Sequence, residues 1–321
     1  MRHRHPGIVV ATALTFCALI SGCADTVMTA PRTLSPGDVN ADRLTPTFDI
    51  DTFVVDGARL TQPQGINAAG DIVGWYNDAS ARSHGFILRG GAITTVDYVK
   101  PDNSMADNTT LRGIGPDGQI VGTYRDNSEE GVASHGFRRT PDGQLIPIQY
   151  VGSNGQVYNE VLQRILPDGT IFGCRHLHDT MGSMKGIMIA GNRATEIDAN
   201  ASMNNGATPD GHHVVGFYTP MDASGTSAYT IDNGTFTSFM VPGSISTNAW
   251  DINARGDIVG VYVDAAGGTH GYVRTDAASF TTIDVPGAAA TRAFGINARG
   301  DVVGTYTKAG VTRGFIARRV R

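Results

Sequence analysis

Apolar and polar positions in this chain change places over short distances, and no window holds the sustained apolar stripe of an amphipathic helix. What recurs is a strand pattern. Residues 295–306 read GINARGDVVGTY, and residues 251–262 read DINARGDIVGVY. Each sets an apolar step, a polar turn containing Gly, and a β-branched run ending in an aromatic, which predicts strand, tight turn, strand. Four further copies begin at Gly65 (GINAAGDIVGWY), Gly113 (GIGPDGQIVGTY), Arg164 (RILPDGTIFGCR) and Gly206 (GATPDGHHVVGFY). The Gly closing each Ile-Val-Gly-like triplet falls at 74, 122, 173, 216, 260 and 304, at intervals of 43 to 51 residues. A period of that length belongs to a propeller blade or an α-solenoid repeat, and the β-branched and aromatic content selects the blade.

Each unit predicts four strands. Strand a ends in the Gly-Ile-Asn-like triplet, and strand b is the Ile-Val-Gly-x-Tyr run. Strand c opens with Ser-His-Gly-Phe at 83–86 and 134–137, with His270-Gly271-Tyr272, and with Arg313-Gly314-Phe315. Strand d is typified by residues 280–285, FTTIDV, with counterparts at 94–97, 195–198 and 236–239. The sixth unit shows no strand d after its strand c, while a spare, Phe53-Val54-Val55-Asp56, precedes the first strand a. The expectation is all-β: a six-bladed β-propeller over residues 46–321, with four-stranded blades and an N-terminal strand d completing the last blade. Such closure removes exposed strand edges. A β-solenoid, the competing architecture, would not need the displaced strand.

Composition fits a turn-rich repeat, with 41 Gly among 321 residues and no collagen period. Residues 1–22 hold two Arg and no acid, so the remainder carries 23 basic against 30 acidic side chains. That balance excludes a nucleic-acid backbone as partner and a polybasic membrane patch. The first residues, MRHRH, are basic, and IVVATALTFCALI is apolar but too short to span a bilayer, which predicts a cleaved signal. Residues 23–45 are polar, carry Pro and Thr without periodicity, and read as a flexible tether. After cleavage, Cys23 and Cys174 remain and leave the fold to packing rather than to disulfides.

Two resemblances follow from these residues. Ile20-Ser21-Gly22-Cys23 resembles the lipobox of bacterial lipoproteins, which implies lipidation at Cys23, with Ala24 implying export to the outer membrane. The pattern G-I-N-x-x-G-x-I-V-G-x-Y, then H-G-F, then F-T-x-I-D-V-P-G-A, resembles the HAF-type bacterial extracellular repeat family over residues 51 to 318. It is clear in the first, second, fifth and sixth units and weak in the third. That resemblance implies secretion and repetition and transfers no catalytic residue.

Motifs that could carry chemistry each have a competing structural role. Gly113 to Gly118 match GxGxxG, but a strand follows where a dinucleotide fingerprint needs a helix. His84, His135 and His270 occupy equivalent strand c positions and are expected to serve their own blades. Cys174, His176 and His178 alternate as they would on one strand face and form a weak metal candidate; no metal or cofactor is expected. The Glu residues number four (129, 130, 160 and 196), and neither a G-x-S-x-G elbow nor HExxH occurs. Residues just before the Gly-Ile-Asn step should approach the axis: Gln64, Arg112, Gln163, Asn205, Trp250 and Phe294, with Glu160 and Arg292 nearby. The expectation is a monomeric, lipid-anchored module that binds a glycan or a protein on the face of its variable d–a loops. The alternatives are a lyase or hydrolase at the channel mouth, and a purely structural surface protein with a plugged channel.

Overall fold

The computed structural model describes residues 45–128, 133–152, 155–177, 183–191, 193–197, 199–221, 225–276 and 279–320. All fall within the unit Arg43–Arg321. The signal, Cys23, the tether up to residue 44, Glu129, Glu130, His178 and Asp198 lie outside the described residues. No helix among the described residues is long and apolar enough to cross a membrane.

Among the described residues, regular structure includes twenty-four strands. An outer strand β1 (Phe48–Phe53) comes first. The first unit follows as β2 (Leu60–Ile66), β3 (Ile72–Asn77), β4 (Ser83–Arg89) and β5 (Ala92–Val96). The second is β6 (Asn108–Ile114), β7 (Ile120–Arg125), β8 (Ser134–Arg139) and β9 (Leu145–Ile148). The third is β10 (Asn159–Ile165), β11 (Ile171–His176), β12 (Lys185–Ala190) and β13 (Arg193–Glu196). The fourth is β14 (Met203–Ala207), β15 (His213–Tyr218), β16 (Ser227–Asp232) and β17 (Thr235–Phe239). The fifth is β18 (Ser244–Ile252), β19 (Ile258–Asp264), β20 (Thr269–Arg274) and β21 (Phe280–Ile283). The last contributes β22 (Ala290–Ile296), β23 (Val302–Lys308) and β24 (Val311–Arg319). Four units are separate antiparallel meanders in chain order; the fifth and sixth are joined through one parallel pair, Thr269 with Ala290. In the sixth, β1 takes the outer place beside β24. Strand a of each unit packs on strands of the preceding sheet, and β2 packs on β22, β23 and β24.

The N-terminal strand differs in register from the sequence reading. Phe53 pairs with Gly314, as Val96 pairs with Gly85 and Ile283 with Gly271. Phe53 is therefore the last strand residue, not the first, and Val54-Val55-Asp56 belongs to the following turn. The alternation Phe48-Asp49-Ile50-Asp51-Thr52-Phe53 is the strand signal, and Phe53 closes it edge-on to Phe86 at 6.2 Å.

Two repeated devices explain the motif. First, the Gly of strand b seats an aromatic of strand c. A Cβ at Gly74 would stand 2.8 Å from the Phe86 ring, and at Gly122 2.7 Å from that of Phe137. Phe86, Phe137, Tyr229, Tyr272 and Phe315 are among the largest fully buried side chains and fill the space between sheets. Second, the Asn of the turn knits neighbouring units. Asn297 Oδ1 accepts from the Arg299 and Asp301 amides, and its Nδ2 donates to the Asn67 carbonyl across the join of the last and first units. Asn253 Nδ2 donates to the Asn297 carbonyl in the same way. Gly300 sits at φ +89° so that the turn can close around that side chain.

The strand c histidines serve their own units. His84 stacks on Tyr76 at 5.2 Å and meets Asp97 at 2.9 Å through Nδ1; His270 repeats this with Tyr262 and Asp284. Residues 113–118 form a β–turn–β hairpin between β6 and β7, with no helix to receive a phosphate.

Candidate functional site

Strand a carries a β-bulge in every unit. The register slips between Pro63 and Gly65, Leu111 and Gly113, Leu162 and Arg164, Asn204 and Gly206, Ala249 and Asp251, and Ala293 and Gly295. The skipped residues are Gln64, Arg112, Gln163, Asn205, Trp250 and Phe294, the six the sequence placed near the axis. A bulge turns a side chain out of the ladder. Here all six line one central cavity of only about 10 Å³. That is room for one water-sized sphere, far below a ligand pocket.

The cavity is closed by an ion pair that breaks the repeat. The residue after each bulge is Gly65, Gly113, Gly206 or Gly295 in four units, but Arg164 in the third and Asp251 in the fifth. Arg164 Nη1 lies 3.6 Å from Asp251 Oδ2, and both side chains are buried. Burial raises the Asp251 carboxyl above its ordinary range, opposed by Arg164 and by the Ile296 and Ile252 amides it accepts. Gly206 must be Gly beside it, because a Cβ there would stand 2.8 Å from Asp251 Oδ1. Arg164 also lines a second central cavity of about 50 Å³, on the side of the a–b turns, together with Asn67, Asn253 and Asn297. Arg164 thus stands between the two cavities.

The remaining predicted residues fall elsewhere. Glu160 is fully buried but does not line the central cavity. It occupies the position held by Thr61, Thr109, Thr247 and Thr291, whose hydroxyls each accept a backbone amide. Glu160 Oε1 accepts the Tyr150 amide at 2.6 Å, while Oε2 is enclosed without a partner. Burial pushes its pKa up to about 8, the Tyr150 bond opposing. Arg292 pairs with Thr305 along the strand and is not among the cavity's lining residues. Cys174 is buried against Met184, Met203 and Phe217, and burial pushes its thiol up to about 12. His176 is also buried. Among the described residues no three His, Cys, Asp or Glu side chains gather as metal ligands.

The larger spaces lie between units, not at the centre, the most voluminous being an apolar groove of about 730 Å³ between the third and fourth units. A groove of about 540 Å³ runs between the fourth and fifth units at their a–b and c–d turns. Its polar groups include His213, Asp232, Asp210, Arg255 and Arg274. His213 Nδ1 meets Asp232 Oδ1 at 2.7 Å. The Arg274 guanidinium carbon lies over the Phe239 ring, 4.2 Å from its centroid, and burial lowers the Arg274 pKa from the ordinary value. The sequence reading expected binding at the d–a loops, at the opposite strand ends. Arg164, Asp251 and the groove residues were not singled out. The first two carried a readable signal, as charges standing where the repeat has Gly. The groove did not, because it joins turns of units 44 residues apart.

No family model matches the chain. No curated protein matches it. Among solved structures it is similar to a putative TolB from Agrobacterium tumefaciens (TM-score 0.54, 12% identity, 86% of this chain and 99% of that one). It is also similar to XC5397 from Xanthomonas campestris, described as a gluconolactonase (TM-score 0.51, 12% identity, 87% and 96%). A further likeness is to the Aleuria aurantia lectin, a six-bladed β-propeller (TM-score 0.49, 13% identity, 85% and 91%). At these identities the likeness is one of fold: the chain is all-β, and its structural neighbours are β-propellers.

Proposed function

We propose that this protein is a six-bladed β-propeller tethered to the outer membrane through lipid on Cys23, and that it acts as a non-catalytic binding module of the HAF-repeat kind. Six bladelike meanders and the pairing of β1 with β24 support the ring and its closure by the N-terminal strand. The anchor rests on Ile20-Ser21-Gly22-Cys23. One observation carries the choice of binding over catalysis. The centre holds about 10 Å³ and is stopped by Arg164 and Asp251, whereas the groove between the fourth and fifth blades offers about 540 Å³. That groove presents carboxylates, an imidazole and a planar guanidinium on an aromatic ring. This mixture of fixed donors and acceptors suits the hydroxyls of a glycan.

The test is a glycan array of envelope and extracellular polysaccharide fragments, probed with the full chain and with Arg274→Ala and His213→Ala. The expected result is binding that weakens at least about tenfold in Arg274→Ala, the size of loss that accompanies removal of one interface contact of about 1.4 kcal/mol. Absence of binding across the array, or binding indifferent to both changes, would overturn the reading. Capture of a purified envelope protein at the same groove would replace the glycan with a protein ligand.

A further inference from the structure

The central cavity is too small for a glycan but carries a strong imbalance of polar groups. Five enclosed atoms of its lining have no hydrogen-bond partner: Gln64 Nε2, Arg112 Nε, Arg164 Nε, Trp250 Nε1 and Asn205 Oδ1. Four of these are donors and one is an acceptor. Gln64, Arg164 and Asn205 are each more than nine-tenths buried. Asn205 cannot turn its amide around, because its Nδ2 already donates to the Ala249 carbonyl at 2.8 Å.

Charge is unbalanced in the same direction. Two guanidiniums, Arg112 and Arg164, face the cavity, and one carboxylate, Asp251, answers them through Arg164. Arg112 has no ion pair among the described residues. The ionisable group that acts on it is the Cys174 thiol, which burial holds in its neutral form. Arg112 is part-buried, with its Nε enclosed, and withdrawing a cation from water without a counter-charge is costly in proportion to that burial. Glu160 does not answer it, since it faces the Tyr150 amide from outside the cavity.

We propose that the centre of the ring is a site for a monatomic anion of the chloride class, held by Arg112 with the donors of Gln64 and Trp250. A single water accepts two hydrogen bonds and brings no charge, so it leaves donors and the Arg112 cation unanswered. A monatomic anion accepts from all of them and neutralises the cation. It fits the room with a small adjustment of the long Arg112 and Gln64 side chains. A carboxylate or phosphate does not fit. The six bulges thus do more than bend strands: they aim the donors of three units at one point. This inference does not rest on the glycan reading, and either can fail alone.

The experiment is thermal unfolding of the full chain at pH 7, at fixed ionic strength, with chloride exchanged stepwise for gluconate. Occupancy of a native-state site raises Tm with anion concentration. The expected result is a saturable rise of about 2–4 °C in chloride. It should be retained in Arg89→Gln, an exposed cation paired with Asp71, and lost in Arg112→Gln. Equal Tm in both salts, or a chloride effect that survives Arg112→Gln, overturns the proposal and leaves the donors to water. Should Arg112→Gln fail to fold, a bromide-soaked crystal of the unaltered chain decides. An anomalous peak within hydrogen-bond distance of Arg112 Nε supports the site, and its absence overturns it.

Discussion

The fifth and sixth units and the third unit have the same strands in the same order, yet they satisfy their buried groups differently. In the fifth and sixth, Thr247 and Thr291 accept a loop amide, Asn253 and Asn297 close the turn, and Tyr262 and Tyr306 follow the strand b glycine. In the third, those places hold Glu160, Leu166 and Arg175, and the residue after the bulge, Gly295 in the sixth and Asp251 in the fifth, is Arg164. Arg175 has turned to Glu196 at 2.6 Å and covers the Tyr158 ring at 4.5 Å. Neutral hydroxyls and amides have been exchanged for charges at buried or half-buried sites. Short neutral groups satisfy the backbone at every pH, whereas the third unit's charges need partners and one of them, Glu160, has its pKa pushed up to about 8 by burial. Repetition marks the frame, and departures from it mark where ionisable chemistry has entered the interior.

The largest expected effect concerns the centre. Asp251→Ala leaves Arg164 buried without its carboxylate and should destabilise by about 3–5 kcal/mol. Arg164→Met with Asp251→Asn should lose less than Asp251→Ala alone, since removing both charges leaves none stranded. Urea unfolding of all variants measures the coupling. Equal losses in the single and double changes would dissolve the contrast drawn above.

Glu160→Thr returns the third unit to the repeat's own residue and comes next. The folded pKa of about 8 lies above the ordinary carboxylate value. Between the two the folded chain holds a proton that the unfolded chain has released. Stability of the unaltered protein should therefore fall as pH rises from about 4.5 to about 8, by up to about 1.4 kcal/mol per pH unit. Glu160→Thr should flatten that slope and be the more stable form at pH 8. Denaturant midpoints at pH 5, 6.5 and 8 check it.

Asn297→Ala probes the frame itself. It removes an acceptor for two turn amides and the donor to the Asn67 carbonyl and to Asp301 Oδ2, for an expected loss of about 1–3 kcal/mol at pH 7 that shrinks in acid as Asp301 takes up its proton. The smallest effect belongs to His270. Burial pulls its pKa down, but the bonds to Asp284 and Asp264 outweigh this and leave it raised. Its contribution is present in full below the ordinary His value and fades as pH rises through the raised one. Being partly exposed, it should amount to a few tenths of a kcal/mol, about the size of a surface pair, seen as a slight loss in His270→Gln at pH 5.5 and none at pH 8.5.

The frame was legible because the repeat states it six times. Its glycines, turns and bulge residues occupy equivalent places, so Gln64, Arg112, Gln163, Asn205, Trp250 and Phe294 could be brought to one centre from spacing alone. Distance from the bulge misplaces Glu160: it is the third residue before the bulged Gln163, where the side chain points towards Gly136 of the preceding sheet. The N-terminal strand begins five residues and ends three residues before the Phe53-to-Asp56 reading, because Phe53-Val54-Val55 resembles a strand core while the true signal is the Asp-spaced alternation before it. The groove between the fourth and fifth units was not legible, since Arg274, Phe239 and His213 meet only when two sheets are set side by side.

The most direct test of the account is to locate the ligand. Crystals of the protein soaked with the best glycan from the array should show the sugar between the fourth and fifth units, with hydroxyls on Asp232 and Arg274 and the central Arg164–Asp251 pair undisturbed. A sugar seated instead at the centre, against Arg112 and Trp250 with that pair parted, would contradict it.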